Sequence, residues 1–327
     1  MATVDVLLDK VKDIAPTLRR HAEEAEQARR LSRPVVDAMV QAGLYRMARP
    51  QAFGGLELDP VSMFRVVETV ARHDSAAGWN LQNSTGVDPV LAWLPDAGAA
   101  EILEGHPEVI LGTSFNPTGG QARPVAGGYR VTGRWSFVSG AYDCRWFQFI
   151  PRLMDGDQPR LNAQGVPLQI FAFLPADTIS ILDTWHTLGM RGTGSHDVVA
   201  SDVFVPERHT APMAPLERPG TGYQGPLYRL TIWLSVALLA LPTLGVARAA
   251  LDDLLELART KTPRYTGSTL SARQVVQRQV AEAEATLGAG RAYLYAIFQE
   301  TWEAAVQGVE ITLEQKLQMQ LATSHAN

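Results

Sequence analysis

The sequence predicts an α+β protein in which a β-rich middle region separates two helical regions. In residues 4–48, apolar side chains recur at three- and four-residue spacing among charged ones, and the same pattern returns in 227–260 and 270–307. Residues 109–205 are instead rich in Gly, Pro and β-branched or aromatic residues, with short apolar runs divided by turns. We therefore expect an N-terminal helical domain over residues 1–108, a middle β domain over 109–212 and a C-terminal helical bundle over 213–327.

Helix starts in the first domain carry recognisable signals. Ser32 precedes Pro34 by two residues, which predicts a capping hydroxyl followed by a proline in the first turn. Asp59 and Pro60 repeat that signal at the start of the next apolar run, and residues 76–94 continue the helical pattern. The first domain is therefore predicted to consist of helices.

The middle region shows the alternation that is typical of strands. Residues 129–137 alternate between apolar and polar side chains directly after Gly127 and Gly128, which predicts a turn followed by a strand. Residues 169–174 and 198–205 are further strand candidates. We expect a small barrel or two stacked sheets.

The most apolar stretch of the chain is 230–246. It is interrupted by Ser235, Pro242 and Gly245 and falls short of the ~18 uninterrupted apolar residues that a membrane span needs. We interpret it as a buried helix, and we expect the last helix over 313–325. The N-terminus lacks the basic start and apolar core of a signal peptide. These features together predict a cytoplasmic protein that does not cross a membrane.

Composition argues against several function classes. The single cysteine, Cys144, cannot form an intramolecular disulfide or a cysteine-based metal cluster. No pair of histidines has metal-ligand spacing with a carboxylate on one helix face, so we expect no metal site. The net charge of −5, with 29 basic and 34 acidic residues interspersed, gives no broad positive field for a nucleic acid.

Three segments, taken together, resemble the acyl-CoA dehydrogenase superfamily, and the resemblance covers essentially the whole chain. They are residues 44–55 (LYRMARPQAFGG), residues 112–121 (GTSFNPTGGQ) with 127–140 (GGYRVTGRWSFVSG), and residues 185–198 (WHTLGMRGTGSHDV) leading to 202–206 (DVFVP). The first is similar to a helix-turn of the family, the second to its paired flavin-contacting strands, and the third to the loop that closes its β domain. The resemblance implies the fold of that family and a bound flavin, either FMN or FAD.

The resemblance also implies which residues contact the flavin. An isoalloxazine ring needs hydrogen-bonding groups at its O4 and N5 edge and a flat apolar wall beside it. Phe137 takes the position of the family's tryptophan wall, and Ser139 takes the position whose hydroxyl reaches N5, which makes Ser139 the expected catalytic residue. The other expected flavin contacts are Ser114, Phe115, Asn116 and Thr193 within the chain, and Arg264, whose guanidinium would bind the flavin phosphate of a neighbouring subunit.

Candidates for the substrate pocket come from aromatic and amide side chains. Trp79 and Trp135 are expected to line it, although tryptophan is more often a core or interface residue. Asn83 lies one helical turn after Asn80 and is a candidate to face the substrate, the alternative being a satisfied helix surface. The resemblance places the catalytic base of the family in a C-terminal region that follows residue 327.

Within the superfamily, the second and third segments look closer to two-component flavin monooxygenases than to dehydrogenases. This implies an enzyme that uses O2 and reduced flavin from a separate reductase to oxidise an aromatic or other planar small molecule. Asp88 and Pro89 stand where phenol hydroxylases of this kind commonly carry a histidine, which argues against a simple phenol as substrate. The alternatives are an acyl-CoA dehydrogenase with bound FAD and a flavin-binding scaffold without turnover. Because relatives commonly assemble as dimers of dimers, a homotetramer is expected.

Overall fold

The computed structural model describes residues 4–103, 105–115, 119–213, 219–230 and 232–327. In the described part of the chain, five α-helices precede the first strand. They are α1 (Val4–Ala28), α2 (Arg33–Gln41), α3 (Pro60–His73), α4 (Ser75–Val87) and α5 (Asp96–Leu103). The sequence prediction of a helical N-terminal region is confirmed.

Side-chain caps explain where two of these helices start. The carboxylate of Asp59 accepts a hydrogen bond from the backbone N–H of Ser62 at 2.9 Å, with Pro60 in the first turn of α3. Asp74 accepts from the N–H of Ala77 at 2.6 Å and starts α4. Each cap satisfies an N–H that the helix itself leaves without a partner. The hydroxyl cap expected at Ser32 does not form, since its side chain makes no capping hydrogen bond with the start of α2.

The middle region forms two sheets. The described strands are β1 (Leu111–Thr113), β2 (Gly120–Val125), β3 (Gly128–Val138), β4 (Trp146–Phe149), β5 (Arg152–Asp155), β6 (Gln158–Pro159), β7 (Ile170–Pro175), β8 (Ser180–Leu182), β9 (His196–Pro206) and β10 (Thr210–Pro212). One sheet has the order β1-β4-β7-β10 and the other β6-β5-β2-β3-β9-β8. The predicted strands over 129–137, 169–174 and 198–205 correspond to β3, β7 and β9. Stacked sheets, one of the two predicted arrangements, are therefore present.

An irregularity near the end of β3 changes which way its side chains point. The pairing of β3 with β9 shifts register between Trp135 and Val138, and Phe137 has a φ of 62°. In a regular strand, Trp135 and Phe137 would lie on the same face because side chains repeat every two residues. The bulge instead leaves Trp135 fully buried and Phe137 69% exposed.

Helices return after the sheets. They are α6 (Ile232–Leu238), α7 (Leu241–Thr260), α8 (Gln274–Val306) and α9 (Leu313–Ala326). The single helix expected over 230–246 is divided between α6 and α7, with Pro242 in the first turn of α7. The segment Ile232–Thr260 has the length and hydropathy of a membrane span, but 56% of its most apolar window is buried against the rest of the fold, as in the core helix of a soluble protein.

Two hydrophobic cores organise the molecule. The helices before and after the sheets share one core, in which Phe64 of α3 packs edge-on against Phe298 of α8 with ring centroids 5.1 Å apart. The sheets enclose a second core, in which Trp135 stacks on Phe149 at 4.1 Å. Burial of these apolar side chains is the main stabilising contribution. The junction between the helical core and the sheets holds the cavity described next.

Candidate active site

A cavity of about 280 Å³ lies where α4 meets the end of β3 and the segment that connects β8 to β9. Domain junctions are common positions for small-molecule sites. The cavity is lined by four large apolar side chains and three hydroxyl groups. These residues are Trp79, Phe137, Ser139, Trp185, Met190, Thr193 and Ser195.

The three hydroxyl groups form one continuous hydrogen-bond chain. The indole N–H of Trp79 donates to Oγ of Ser139 at 2.9 Å. Ser139 Oγ and Ser195 Oγ lie 2.8 Å apart, and Ser195 Oγ and Thr193 Oγ1 lie 2.7 Å apart. Thr193 Oγ1 then donates to the carbonyl oxygen of Met190 at 2.8 Å. The chain therefore runs from an obligatory donor at Trp79 to an obligatory acceptor at Met190.

The Met190 end determines the direction of every hydroxyl proton in the chain. A hydroxyl has one hydrogen to donate. Thr193 uses its hydrogen on the Met190 carbonyl, so Ser195 must donate to Thr193. Ser139 must then donate to Ser195, while it accepts from Trp79. All three hydroxyl hydrogens are thus used inside the chain, which leaves lone pairs rather than hydrogens available at the cavity.

Backbone contacts hold the two halves of this hydroxyl chain together. The N–H of Gly140 donates to the carbonyl of Thr193 at 2.8 Å, which fixes the end of β3 against the turn Arg191–Thr193. The N–H of Gly192 donates to the carboxylate of Glu26 in α1 at 3.1 Å. A Cβ on Gly192 would lie only 3.0 Å from that of Ala76 and 3.1 Å from that of Ala25, so glycine permits this close approach.

Phe137 and Trp185 form an aromatic edge to the cavity. Their ring centroids are 6.0 Å apart and their planes are perpendicular. The indole N–H of Trp185 donates to the Met190 carbonyl at 3.0 Å, which fixes the orientation of that ring. An exposed aromatic face next to buried hydroxyl groups is the combination that a planar heteroaromatic ring requires.

A second set of contacts anchors the segment 183–190, which carries Trp185. Arg29, which follows α1, donates hydrogen bonds from Nη1 and Nη2 to the carboxylate of Asp183, and Nη1 also donates to the carbonyl of Trp185 at 3.3 Å. Hydrogen bonding to Arg29 lowers the pKa of Asp183. Nδ1 of the buried His196 accepts from the N–H groups of Thr184 at 3.2 Å and Trp185 at 3.3 Å. Burial lowers the pKa of His196, which favours the neutral ring that this acceptor role requires.

The structure brings four of the predicted site residues together at the cavity, namely Trp79, Phe137, Ser139 and Thr193. Ser114 directly follows β1, and its hydroxyl donates to the carbonyl of Ser136 in β3 at 2.8 Å. Phe115 follows it and is 42% exposed. Asn116 lies outside the described residues.

Like Ser114 and Phe115, three further predicted residues do not line this cavity. Trp135 lies in the core of the β domain, because the bulge after it turns its side chain to the opposite face from Phe137. Asn83 is half-buried on α4 and does not line the cavity. Arg264 is exposed in the connection between α7 and α8.

Three cavity residues were not among the predicted ones: Ser195, Trp185 and Met190. All three belong to the segment 185–198, which was identified as a whole. The signal available in the sequence was Ser195 itself, a second hydroxyl two residues after Thr193. Gly194 between them is in the left-handed conformation, with a φ of 56°, and the two hydroxyl oxygens lie 2.7 Å apart.

A buried ion pair fixes the chain directly after α4. The guanidinium of Arg49 donates from Nε to Oδ1 of Asp88 at 3.0 Å, and both side chains are inaccessible to solvent. Arg49 also donates to the carbonyls of Pro107 and Val109, where the chain enters the β domain. Burial raises the pKa of Asp88 to about 6, and the charge of Arg49 opposes that shift. Asp88 is thus a structural carboxylate.

Known proteins similar to this chain identify its family. The family described as acyl-CoA dehydrogenase, N-terminal domain, matches residues 5–105, and acyl-CoA dehydrogenase, C-terminal domain, matches 237–327. An indole-3-acetate monooxygenase of Pseudomonas putida is 34% identical over 98% of this chain and 78% of its own length. The oxygenase subunit of a flavin-dependent monooxygenase of Rhodococcus jostii, HsaA, is 27% identical over 95% of this chain and 81% of its own.

A solved structure agrees with these relatives. XiaF from a Streptomyces species, in complex with FADH2 and glycerol, superposes with a TM-score of 0.89 at 25% identity, over 99% of this chain and 81% of that one. The expected fold, the flavin cofactor and the oxidoreductase assignment are confirmed by these similarities. The chain belongs to the acyl-CoA dehydrogenase family, among its flavin-dependent monooxygenases.

Proposed function

We propose that this protein is the oxygenase component of a two-component system, which inserts one oxygen atom from O2 into an aromatic small molecule. Reduced flavin would come from a separate reductase, as the wording "oxygenase subunit" in the name of the HsaA relative suggests. Indole-3-acetate is the first substrate to test because it appears in the name of the 34% identical relative. We assign the reaction to the cytoplasm, where reductases and their nicotinamide donors operate.

The observation that carries this proposal is the cavity in which aromatic walls enclose a chain of hydroxyl groups. When bound, reduced flavin supplies the electrons that activate O2. The chain's own contribution is to bind and orient. Phe137 and Trp185 offer flat apolar contacts at the edge of the cavity, and the buried Ser139 and Thr193 offer hydrogen-bonding oxygens that are shielded from water. Shielding matters because water competes for every polar contact that orients the ring.

Dehydrogenation of an acyl-CoA is the alternative reaction of this fold. That chemistry needs a base to remove a proton next to the thioester carbonyl. Among the described residues that line the cavity, none carries a carboxylate or an imidazole. Because the resemblance places that base after residue 327, the lining does not distinguish the two reactions, and the relatives named as flavin-dependent monooxygenases favour oxygen chemistry.

The two reactions are tested side by side. With FAD or FMN, NADH, a flavin reductase and air, the protein should convert indole-3-acetate to a product that gains one oxygen atom. Omitting the protein or the reductase should abolish that product. Bleaching of protein-bound FAD by an acyl-CoA without air, with no oxygenated product in the first assay, would replace the proposal with the dehydrogenase.

We also propose that the protein assembles as a homotetramer in which Arg264 reaches the flavin of a neighbouring subunit. The support is the exposed position of Arg264 and an apolar face on α9. Leu313, Leu317 and Leu321 lie four residues apart on that helix and are 83%, 49% and 47% exposed. Apolar faces of this kind are commonly covered by a second copy.

Sedimentation velocity at micromolar concentration tests the assembly. A tetramer is expected, and replacing Leu313, Leu317 and Leu321 together with glutamate should dissociate it while the helical circular dichroism is retained. A wild-type protein that sediments as a monomer with flavin bound would contradict the proposal.

A further inference from the structure

The direction of the hydroxyl chain has a consequence for the redox state of the flavin. At one end Trp79 can only donate, and at the other end the Met190 carbonyl can only accept. The same carbonyl also accepts from the Trp185 indole at 3.0 Å and from the Thr193 backbone N–H at 3.2 Å, so it is a firmly held terminus. The Met190 end therefore imposes the proton order, and the hydrogen bond from Trp79 is compatible with it.

With this order, the hydroxyl groups of the cavity act as hydrogen-bond acceptors. Ser139 is 6% exposed, Ser195 4% and Thr193 1%, so water does not readily supply alternative partners. For Ser139 to donate a hydrogen bond into the cavity, it must withdraw its hydrogen from Ser195. That costs a buried hydrogen bond, which proteins rarely leave unmade.

A flavin presents a different hydrogen-bonding edge in its two redox states. In oxidised flavin N5 is an acceptor, whereas after two-electron reduction N5 carries a hydrogen and is a donor. Hydroxyl groups that can only accept therefore match the N5–H of the reduced ring without rearrangement. They match the N5 acceptor of the oxidised ring only after a hydrogen bond within the hydroxyl chain is broken.

We propose that this hydroxyl chain makes the site selective for reduced over oxidised flavin, and that Ser195 and Thr193 are the positioning residues that set the selectivity by taking up the hydrogen of Ser139. The inference rests on the proposed function, because it needs a flavin in this cavity. It goes further by assigning the choice of redox state to the hydrogen bonds that Ser195 and Thr193 make within the hydroxyl chain.

The experiment measures the dissociation constants of oxidised and reduced flavin, the latter without oxygen, by equilibrium dialysis with FMN and with FAD. The wild type should bind the reduced form more tightly. In Ser195→Ala the hydrogen of Ser139 is released, so the preference should fall about tenfold, the typical effect of one buried hydrogen bond. That change corresponds to a midpoint potential of the bound flavin about 30 mV more negative. Thr193→Val should act in the same direction.

Two control variants separate proton order from packing. Trp79→Phe removes one hydrogen bond at the cavity but leaves the Met190 end to set the order, so the preference should be retained. Thr210→Val removes a buried hydroxyl elsewhere in the β domain, where it donates to the carbonyl of Glu207, and should change neither constant. A loss of packing would weaken the binding of oxidised and reduced flavin equally and leave the ratio of the two dissociation constants unchanged.

The outcomes distinguish this inference from the function on which it rests. If Ser195→Ala and Thr193→Val are folded by circular dichroism and keep the wild-type ratio of the two constants, the inference is overturned while the oxygenase proposal stands. If the folded wild type binds neither redox form of either flavin, the proposed function fails and the inference with it. A preference that falls in both variants and persists in Trp79→Phe supports the inference.

Discussion

Arg29 and Asp183 lie 154 residues apart in the sequence, and the guanidinium of the first donates two parallel hydrogen bonds to the carboxylate of the second, with Nη2 and Oδ2 2.8 Å apart. Paired hydrogen bonds of this kind fix the orientation as well as the distance. Arg29 follows the last residue of α1 with a left-handed φ of 55°, which directs the chain away from the helix at this point. The pair thereby connects the N-terminal helices to the segment that carries Trp185.

We predict that Asp183→Asn weakens flavin binding several-fold with little change in melting temperature. Asp183 is exposed and Arg29 is half-buried, and ion pairs at the surface contribute little to overall stability. Its role is to hold Trp185 against Phe137 at the edge of the cavity. Flavin titration and thermal unfolding measure the two effects. Arg123→Ala, which breaks the exposed Arg123–Asp157 pair elsewhere in the β domain, is the matched control and should leave flavin affinity intact. A fall in melting temperature with unchanged affinity would show that the pair is only structural.

Ser139→Ala should uncouple oxygen consumption from product formation. The substitution removes the acceptor of the Trp79 N–H and the donor to Ser195, both in a buried site. A lost buried hydrogen bond changes a rate or an affinity by about tenfold. We expect less oxygenated product, and more hydrogen peroxide, for each O2 consumed. Ser139→Thr keeps a hydroxyl at this position and should restore most of the coupling. Unchanged coupling in Ser139→Ala would remove this residue from the reaction.

The contribution of Asp88 to stability should decline as pH rises from about 4 to about 7. Burial raises the pKa of Asp88 to about 6, above its usual value of 3.8, so the folded protein binds this proton more tightly than the unfolded chain does. The sign follows from linkage: between the two pKa values the native state holds more protons, and the free energy of unfolding falls as pH increases. The pKa of Asp143 is also raised to about 6 by burial, so it acts in the same direction.

Asp88→Asn should therefore reduce the fall in the free energy of unfolding between pH 4 and pH 7. The reduction should be up to about 3 kcal/mol, since one pKa unit corresponds to 1.36 kcal/mol. Its stability at pH 7 should still be lower than that of the wild type, because Arg49 loses its buried partner. Urea unfolding at a series of pH values measures both effects. Parallel pH profiles for wild type and variant would contradict the raised pKa of Asp88.

The order of helices and strands could be predicted from the sequence because periodicity and capping residues are local properties. Asp59 and Pro60 mark the start of α3, and the alternation in 129–137 marks β3. The same alternation is misleading for the site. It places Trp135 and Phe137 on one face, and only the bulge with its left-handed Phe137 separates them. A bulge depends on pairing with β9 and leaves no clear trace in β3 itself.

The hydroxyl chain shows a second limit of sequence analysis. Ser139 and Thr193 were identified through a family resemblance, but Ser195 becomes part of the site only when β3 and the turn before β9 meet. The contacts of Arg29 with Asp183 and of Trp79 with Ser139 likewise join residues from distant parts of the chain. Such contacts follow from tertiary packing, which local patterns do not specify.

We propose that this chain uses reduced flavin to transfer one oxygen atom from O2 to an aromatic substrate. Turnover of indole-3-acetate under O2 labelled with the heavy isotope of oxygen, in unlabelled water, with mass spectrometry of the product, tests this transfer. We expect a product that contains one labelled atom, formed only when protein, flavin and reductase are all present, and in lower yield with Ser139→Ala. A product whose new oxygen comes from water, or no oxygenated product from protein that has bound reduced flavin and substrate, would contradict it.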